Sequence, residues 1–392
     1  MKYKFRFYPG TTQQQSLAKT FGCCRFVYNW ALRVRTDSFK AGKTINYNAS
    51  SAALTQLKKS PEHQWLNDVS CVPEQQALRH LQTAYKNFFE KRTGYPSFKK
   101  KTGKQAAEYT RSAFTWNAAN KSLVLSKIGR LRIRWSRSFT SDPSTVTITK
   151  DAAGRYFVTL TLDEPVQRYP KTGEVVGVDL GISRLATLSN GERIPNPQHI
   201  RKDQRKLARA QRVLARRKKG SNRRKQAQLR VAKIHARIAD ARNDYTNKVT
   251  TNLVRRFDVI CIEDLHVRGM VKNHCLARSL SDAALGMFRT QLEYKAKWYG
   301  KEIRVVDRFF PSSKRCNSCG HILESLPLSV REWDCPECKA HHDRDENAAK
   351  NILAAGYAVS ARGGSVRPVR ALARKGAIRR TVNQLGRGKQ QC

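Results

Sequence analysis

The spacing of apolar residues predicts several kinds of segment along this chain. Residues 1–8 alternate charged with apolar side chains, which is typical of a half-buried strand, and a Pro-Gly turn signal follows. From Thr11 to about Arg92 the apolar positions recur at helical spacing. Residues 123–162 contain short β-rich segments separated by Gly, Asp-Pro and Ala-Gly turns. We therefore expect the N-terminal strand to join the later strands in a small barrel, with the helices inserted between them.

A third pattern begins at Gly173 and predicts an α/β domain. Short, continuous apolar runs end at the acidic residues Asp179, Glu263 and Asp307, as buried strands of one sheet would. A helix is expected from about 343 to 355. Strands that alternate with helices in this way are typical of an α/β sheet, so the chain is predicted to be a multidomain α/β protein with β-barrel and helical parts.

The overall charge identifies the class of partner. The 392 residues include 76 Lys+Arg and 30 Asp+Glu, which gives a formal net charge of +46. A small domain needs only about 2–8 net charges to stay in solution, so this excess would repel itself unless a polyanion neutralised it. No apolar run approaches the roughly 18 residues of a membrane span, and the N-terminus lacks the apolar centre of a signal peptide. We therefore expect a nucleic-acid partner, no membrane contact and a cytosolic protein.

The positive charge is concentrated in residues 201–242, which contain 17 Lys+Arg and two acids. A Gly-Ser-Asn break at 220–222 predicts a helical hairpin, and its one-signed charge favours a nucleic-acid surface over a solvated face with mixed signs. Aromatic residues beside basic ones between 95 and 111 could stack on unpaired bases, or could equally belong to the core. The predicted nucleic-acid contacts are Arg205, Lys206, Arg209, Arg216, Arg217, Lys218, Lys219, Arg223 and Arg224 in the hairpin, and Lys99, Lys100, Lys101, Tyr109 and Arg111 before it.

The C-terminal segment has a different composition from the rest. Residues 357–392 carry nine Lys+Arg, no acids and little apolar periodicity. Such a segment buries too little apolar surface to offset the entropy of ordering the chain. We therefore expect a basic, disordered tail.

Two CxxC pairs form the strongest local motif. Fifteen residues separate the pairs, which are Cys316 with Cys319 and Cys335 with Cys338. Four thiolates at this spacing form two knuckles that close a tetrahedral Zn²⁺ site, and no position is left for water, so the zinc would be structural. Four unlinked thiols or a redox pair are the weaker alternatives. The neighbouring His341 and His342 are not needed as ligands, because four sulfurs already saturate the ion.

Acidic residues at the ends of predicted strands form a second, dispersed group. Asp179 and Glu263 end apolar strands, and Asp343 and Asp345 open the last predicted helix. Carboxyl ends of strands meet at one edge of a sheet, where carboxylates in a strongly cationic protein indicate a two-metal site for Mg²⁺ or Mn²⁺ acting on a phosphate. Each acid also has a structural interpretation: Asp343 with Glu346 fits a helix N-cap, and Glu263 could merely begin a loop.

Several motifs occur in a fixed order along the chain. They are Tyr8-Pro9, Cys24-Arg25-Phe26-Val27-Tyr28-Asn29, Val178-Asp179-Leu180-Gly181-Ile182, Ile262-Glu263-Asp264-Leu265, Ser312-Ser313-Lys314 with Cys316 and Cys319-Gly320, and Asp343-Arg344-Asp345-Glu346-Asn347-Ala348-Ala349-Lys350-Asn351-Ile352. Together they closely resemble the TnpB proteins encoded by insertion sequences, which are relatives of the type V CRISPR nucleases. The resemblance extends from residue 1 to about 355, and the tail has no matching pattern.

The resemblance implies a domain organisation. A RuvC-like nuclease domain of RNase H fold would carry an inserted zinc ribbon that binds target nucleic acid. An OB-like wedge barrel and a helical recognition domain would hold the RNA and the target DNA. The implied boundaries are 1–10 and 103–172 for the wedge, 11–102 for the recognition domain, 173–311 and 341–356 for the RuvC-like domain, 312–340 for the zinc ribbon and 357–392 for the tail.

The resemblance also implies an activity, that of an RNA-guided DNA endonuclease. Its guide RNA would come from the transposon end, and its target would be double-stranded DNA beside a short adjacent motif. Carried over by motif, Asp179 and Glu263 are the first two catalytic carboxylates, and Asp345 is preferred as the third because the family's Asp-x-Asn element fits Asp345-Glu346-Asn347. The implied cofactors are catalytic Mg²⁺ or Mn²⁺ and structural Zn²⁺. We expect a monomer in the cytoplasm of a bacterium or archaeon, associated with the nucleoid.

Two other functions stay open on the sequence. A guided repressor would bind target DNA without cutting it, although the complete set of acids argues against that interpretation. A transposase would use the same type of fold to join strands itself.

Overall fold

A computed structural model describes residues 1–361, so the predicted tail beyond residue 361 lies outside the described residues. The described chain divides into two units. One contains Met1–Lys150 with Tyr156–Asp163, and the other contains Asp151–Arg155 with the chain from Glu164 onward. The finer division into wedge, recognition, nuclease and ribbon domains stays a prediction. Within residues 1–361, no helix is both long and apolar enough to cross a membrane.

The first unit combines long helices with antiparallel sheet. Its elements are β1 (Lys2–Phe7), α1 (Thr11–Lys40), α2 (Tyr47–Leu57), α3 (Cys71–Phe89), β2 (Gln105–Thr110), β3 (Phe114–Asn117), β4 (Ser122–Leu125), β5 (Gly129–Arg130), β6 (Ile133–Arg134), β7 (Pro143–Lys150) and β8 (Tyr156–Leu162). A five-stranded sheet has the order β2-β7-β8-β1-β6, and β3, β4 and β5 form a smaller sheet. β1 pairs with β8 along its whole length, which confirms the predicted return of the N-terminal strand to the later strands.

The core of this unit contains one residue that was predicted to contact nucleic acid. Phe5 and Phe7 of β1 are buried together with apolar residues of α1 and α3. Tyr109 of β2 is also completely buried there, because side chains alternate along a strand and it shares a face with the buried Ala107. A ring without exposed surface is unable to stack on a base. The predicted nucleic-acid contact at Tyr109 is therefore wrong, and the alternative interpretation as core is confirmed.

The second unit is built around a mixed sheet. Its elements are β9 (Val175–Leu180), β10 (Arg184–Leu188), β11 (Arg193–Pro195), α4 (His199–Ala215), α5 (Asn222–Arg256), β12 (Val259–Glu263), α6 (Val267–Met270), α7 (Ala277–Ala283), α8 (Leu285–Tyr299), β13 (Glu302–Val306), β14 (Glu332–Asp334), β15 (His341–Asp343) and α9 (Arg344–Ala361). The sheet has the order β11-β10-β9-β12-β13. β9, β12 and β13 run parallel, whereas β10 and β11 are antiparallel additions at one side.

Most sequence predictions for this unit are confirmed. The three apolar runs form β9, β12 and β13, and the basic segment forms the helical hairpin α4–α5 with its break before Asn222. The last helix is longer than predicted. Since α9 continues to Ala361, residues 357–361 are helical, and the prediction of disorder is wrong for them. The rest of the predicted tail falls outside the described residues.

Two glycines allow α9 to approach the sheet closely. A Cβ atom on Gly177 of β9 would overlap the carbonyl oxygen of Ala349 and lie 2.8 Å from the amide nitrogen of Leu353. A Cβ atom on Gly356 of α9 would overlap the Sγ atom of Cys261 of β12 and lie 2.9 Å from its Cβ atom. Any larger residue at either position would push the helix from the sheet. These two contacts set the distance between α9 and the strands β9 and β12.

We predict that Gly177→Ala destabilises the second unit strongly. The added methyl group meets backbone atoms of α9, which are unable to move aside as a flexible side chain would, so the loss should be about 3 kcal/mol or more. Gly286→Ala in α8 is the matched control, because a Cβ atom there meets nothing within 4 Å. Urea unfolding followed by circular dichroism measures both variants. Equal unfolding midpoints for the two variants would contradict the prediction.

A buried lysine lies between α5 and α8. The Nζ atom of Lys295 donates hydrogen bonds to the carbonyl oxygen of Asn247 at 2.8 Å and to the hydroxyl oxygens of Thr250 and Thr251 at 2.7 and 2.9 Å. The residue is only 5 % exposed. Burial penalises its charged form and lowers the pKa of Lys295 to about 8.

The lowered pKa of Lys295 predicts a specific pH dependence of stability. The folded state holds this proton less tightly than the unfolded state, whose pKa is 10.5. The group therefore destabilises the fold below pH 8, and that penalty disappears as the pH rises to 10.5, a gain of about 2–3 kcal/mol. Urea unfolding between pH 7.5 and 10.5 should show this gain in the wild type and not in Lys295→Met. Lys297→Met, an exposed position on the same helix, should keep it.

Candidate functional site

The first two predicted carboxylates end adjacent parallel strands. Val178 of β9 and Ile262 of β12 are register partners, and both are fully buried. Side chains alternate along a strand, so the next residues, Asp179 and Glu263, lie on the opposite face of the sheet. That face also carries Gly177, against which α9 packs. The sheet therefore presents both carboxylates on the side that α9 covers.

The first turn of α9 adds the third predicted carboxylate. Asp345 stands three, four and seven residues before Ala348, Ala349 and Ile352, positions that share one side of a helix. Those three residues are at most 1 % exposed and form the buried side of α9. Asp345 consequently lies on the sheet-facing side of the helix, and the side chain is only 20 % exposed.

The electrostatics of these acids reflect their proximity. Burial, followed by the charges of Asp345 and Glu263, raises the pKa of Asp179 to about 7. Burial and the charge of the adjacent Asp264 raise the pKa of Glu263. Asp264 itself accepts hydrogen bonds from Arg289 at 2.6 Å and Arg308 at 2.5 Å, which hold its pKa below the usual range. Like charges have thus been gathered in a partly dehydrated place that a cation would stabilise.

Asp343, unlike Asp345, caps the N-terminus of α9. Its Oδ1 atom accepts hydrogen bonds from the backbone N–H groups of Asp345 and Glu346, both at 3.0 Å, which confirms the predicted helix N-cap. Its Oδ2 atom accepts a hydrogen bond from Arg193 at 2.9 Å. Hydrogen bonds of 3.0 Å or less engage both oxygens of Asp343, whereas the arginine nitrogens that pair with Asp345 lie at 3.5 and 3.8 Å, so Asp343 is less available to a metal ion than Asp345.

Arginines far away in the sequence balance the acids of the α9 turn. Arg184 Nη1 lies 3.7 Å from a carboxylate oxygen of Asp343 and 3.8 Å from one of Asp345, and Arg331 Nη1 lies 3.5 Å from the other oxygen of Asp345. Sequence reasoning missed these arginines, because only the fold brings β10 and the segment before β14 to the start of α9.

The acids Asp179, Glu263 and Asp345 do not form a group whose ligand atoms all lie within 4.8 Å of one another.

The four predicted zinc ligands come together in the structure. The Sγ atoms of Cys316, Cys319, Cys335 and Cys338 lie within 4.8 Å of one another. Two of the distances between Sγ atoms of opposite pairs, Cys316 to Cys338 and Cys319 to Cys335, are both 3.6 Å. A tetrahedral ion with Zn–S bonds of about 2.3 Å requires sulfur atoms about 3.8 Å apart, so the four sulfurs fit Zn²⁺.

One histidine that the sequence argument set aside contacts this cluster. His342 Nε2 lies 3.0 Å from the Sγ atom of Cys316, and its ring packs 4.7 Å from that of Trp333. His341 is instead exposed and pairs with Asp334 at 2.8 Å. In a zinc site formed by the four cysteines, His342 would therefore support a ligand rather than replace one.

The basic hairpin, residues 201–242, presents most of its charge outward. Eight of the predicted contact residues in it are exposed: Arg205, Lys206, Arg209, Arg216, Arg217, Lys218, Lys219 and Arg223. Arg224 differs, because its Nη1 atom donates to the carbonyl oxygens of Leu214 and Arg217 at 2.9 and 2.8 Å. Arg224 thus stabilises the turn between α4 and α5, which the sequence prediction of a nucleic-acid contact did not anticipate. The predicted contacts Lys99, Lys100, Lys101 and Arg111 are also exposed.

Comparison with known proteins shows the family to which this chain belongs. Models described as "Probable transposase", "Cas12f1-like, TNB domain" and "Helix-turn-helix domain" match residues 157–274, 286–352 and 1–44. A protein of Streptomyces pristinaespiralis named "Putative RNA-guided DNA endonuclease" is 51 % identical over 379 residues, which cover 95 % of this chain and 94 % of that protein. The chain belongs to the TnpB family. The resemblance predicted from the motifs is therefore confirmed.

A second relative is similar to this TnpB-family chain in sequence, and a solved structure is similar to it in fold. An Escherichia coli K12 protein named "Putative RNA-guided DNA endonuclease InsQ" is 35 % identical over 94 % of this chain and 96 % of its own length. The cryo-EM structure of a Cas12f1–sgRNA–target DNA complex has a chain that matches with a TM-score of 0.56 at 14 % identity, over 87 % of this chain and 82 % of that one. At that identity the structural match shows a common fold alone.

Proposed function

We propose that this protein is an RNA-guided DNA endonuclease that hydrolyses phosphodiester bonds by a two-metal, RuvC-type reaction. The observation that carries the proposal is the approach of Asp345 to Asp179 and Glu263 at one edge of the sheet, where burial, followed by the charges of Asp345 and Glu263, raises the pKa of Asp179 to about 7. The names of the relatives from Streptomyces pristinaespiralis and Escherichia coli support the same activity.

The acids of this site are suited to divalent cations. Asp179, Glu263 and Asp345 would hold Mg²⁺ or Mn²⁺ through carboxylate oxygens, the ligand type that these hard cations prefer. Bound in such a site, the cations activate a water and stabilise the leaving oxygen of the phosphate. Asp343 caps α9 and so keeps Asp345 directed toward the sheet. Asp264, held by Arg289 and Arg308, would fix the end of β12 and with it Glu263.

The remaining surfaces would hold nucleic acid. The exposed cations of the basic hairpin suit the phosphates of a guide RNA from the transposon end or of its duplex with target DNA. Double-stranded DNA with a short adjacent motif would be the target, and the cysteine cluster would hold structural Zn²⁺ beside the nuclease site. We propose a monomer that acts in the cytoplasm, a reducing compartment in which the four thiols stay available to zinc.

The carboxylates can be tested individually in single-turnover cleavage by the protein–RNA complex in Mg²⁺. Asp179→Asn and Asp345→Asn should each lower the rate about 10³-fold or more, because a metal ligand contributes several kcal/mol to the transition state. Asp343→Asn should lower it less than about tenfold, since Asn is also a good N-cap. Asp244→Asn, on the exposed face of α5, is the control.

Binding of target DNA by the same complexes separates the alternatives. Target affinity should stay within about threefold of the wild type in Asp179→Asn, because the change removes a metal ligand and not a phosphate contact. Wild-type protein that binds its target without cutting it would indicate the guided repressor, and strand-transfer products would indicate the transposase. Cleavage that survives Asp179→Asn would refute the assignment of this site.

The basic hairpin predicts a measurable salt dependence of RNA binding. Arg205→Gln with Arg209→Gln removes two exposed cations, so the slope of log affinity against log salt concentration should fall by about 1.4 if both contact single-stranded phosphates. Lys272→Gln with Lys297→Gln removes equal charge at exposed positions outside the hairpin and should leave the slope nearly unchanged. Filter binding at several salt concentrations measures both, and equal slopes would contradict the predicted surface.

A further inference from the structure

Two buried asparagines on α9 bind the backbone around a predicted zinc ligand. Asn347 accepts a hydrogen bond from the N–H group of Asn317 at 3.0 Å and donates one to the carbonyl oxygen of Arg315 at 2.8 Å. Asn351 donates to the carbonyl oxygens of Ser312 and Arg315 at 2.9 and 2.6 Å. Both asparagines are only 2 % exposed. Four hydrogen bonds with almost no access to water therefore join α9 to the segment that contains Cys316.

These bonds fix Cys316 from both sides. The carbonyl group of Arg315 precedes Cys316 and the N–H group of Asn317 follows it, and both are engaged by α9. A buried polar group that loses its partner costs about 1–3 kcal/mol, so the first cysteine knuckle is unable to leave α9 without a substantial penalty.

The second cysteine pair is attached to the beginning of the same helix. β15 follows Cys338 and runs directly into α9 at Arg344. The backbone N–H group of Arg344 donates to the carbonyl oxygen of Arg331 at 2.8 Å, and its Nη1 atom donates to that of Pro327 at 2.6 Å. Both halves of the cysteine cluster are thus anchored within two turns of Asp345.

The cluster itself has little apolar support. Its buried apolar group consists of Cys316, Trp333 and Cys335, with three partly buried residues around them. A core of this size rarely stabilises a small module, so a metal ion bound by the four sulfurs would be the main cross-link between the two halves.

We propose that Asn347 and Asn351 are positioning residues that couple zinc at the four cysteines to the placement of Asp345. This inference rests on the proposed function, in which Asp345 is a ligand of the divalent cation. Asn347 is only two residues, or about 3 Å of helix rise, from Asp345, so a displaced knuckle displaces the carboxylate as well. Metal-site geometry tolerates shifts of only about 0.5 Å, and loss of zinc therefore weakens the nuclease metal site.

The experiment measures Mn²⁺ binding to the full-length protein by electron paramagnetic resonance, and zinc content by release to a colorimetric chelator. Only the Mn²⁺ binding that Asp345→Asn abolishes is counted. In Asn347→Leu with Asn351→Leu, one zinc per chain should remain while the dissociation constant for Mn²⁺ rises at least tenfold. Asn252→Leu, an exposed position on α5, is the control and should bind Mn²⁺ as the wild type does.

Wild-type protein provides an independent test that does not depend on how the variants fold. Stripping its zinc with a chelator should raise the Mn²⁺ dissociation constant at least tenfold, and adding Zn²⁺ back should restore it. Unchanged Mn²⁺ affinity in the zinc-free protein, or in the doubly substituted protein that keeps its zinc, would overturn the coupling. Wild-type protein without any Mn²⁺ site that depends on Asp345 would instead refute the proposed function.

Discussion

The close approach of α9 to the central sheet is the constraint on which the candidate site depends. Gly177 and Gly356 remove the side chains that would otherwise separate the helix from β9 and β12. The first turn of α9 is thereby held above the ends of two parallel strands, where Asp345 approaches Asp179 and Glu263. Carboxylates from three distant parts of the sequence share one partly dehydrated place for this reason, and two small residues decide it.

The charge distribution has opposite signs at two scales. The whole chain carries +46, and the exposed face of the basic hairpin contributes to that excess. The acids at the sheet edge form a local negative site within it, although Arg184 and Arg331 approach Asp345 closely enough to balance part of its charge. A phosphate backbone is attracted by the first distribution and divalent cations by the second. A nuclease needs both, because the cations bring the phosphate to the acids that would otherwise repel it.

In the proposed function, the cysteine cluster is part of the framework of the nuclease site. Its two halves join α9 separately, one through the buried amides of Asn347 and Asn351 and the other through β15. His342 extends this connection, since its ring touches the sulfur of Cys316 and packs on Trp333. A helix fixed by the sheet on one side and by the cysteine cluster on another has little freedom to move Asp345. With zinc at the four cysteines, as proposed, a structural metal module would order the proposed catalytic one.

The sequence by itself determined which residue types carry the chemistry and most of the elements that hold them. Apolar runs marked β9, β12 and β13, and the cysteine spacing and the family motifs predicted the metal ligands, because these signals are local. Only the tertiary structure decided that Tyr109 is core, that Arg224 stabilises a turn and that Asp343 caps α9 while Asp345 approaches Asp179. The tertiary structure alone also revealed that Arg184 pairs with Asp345 and that Asn347 and Asn351 bind the backbone around Cys316. Each of these outcomes depends on which distant segment packs against a residue, and local spacing carries no information about that.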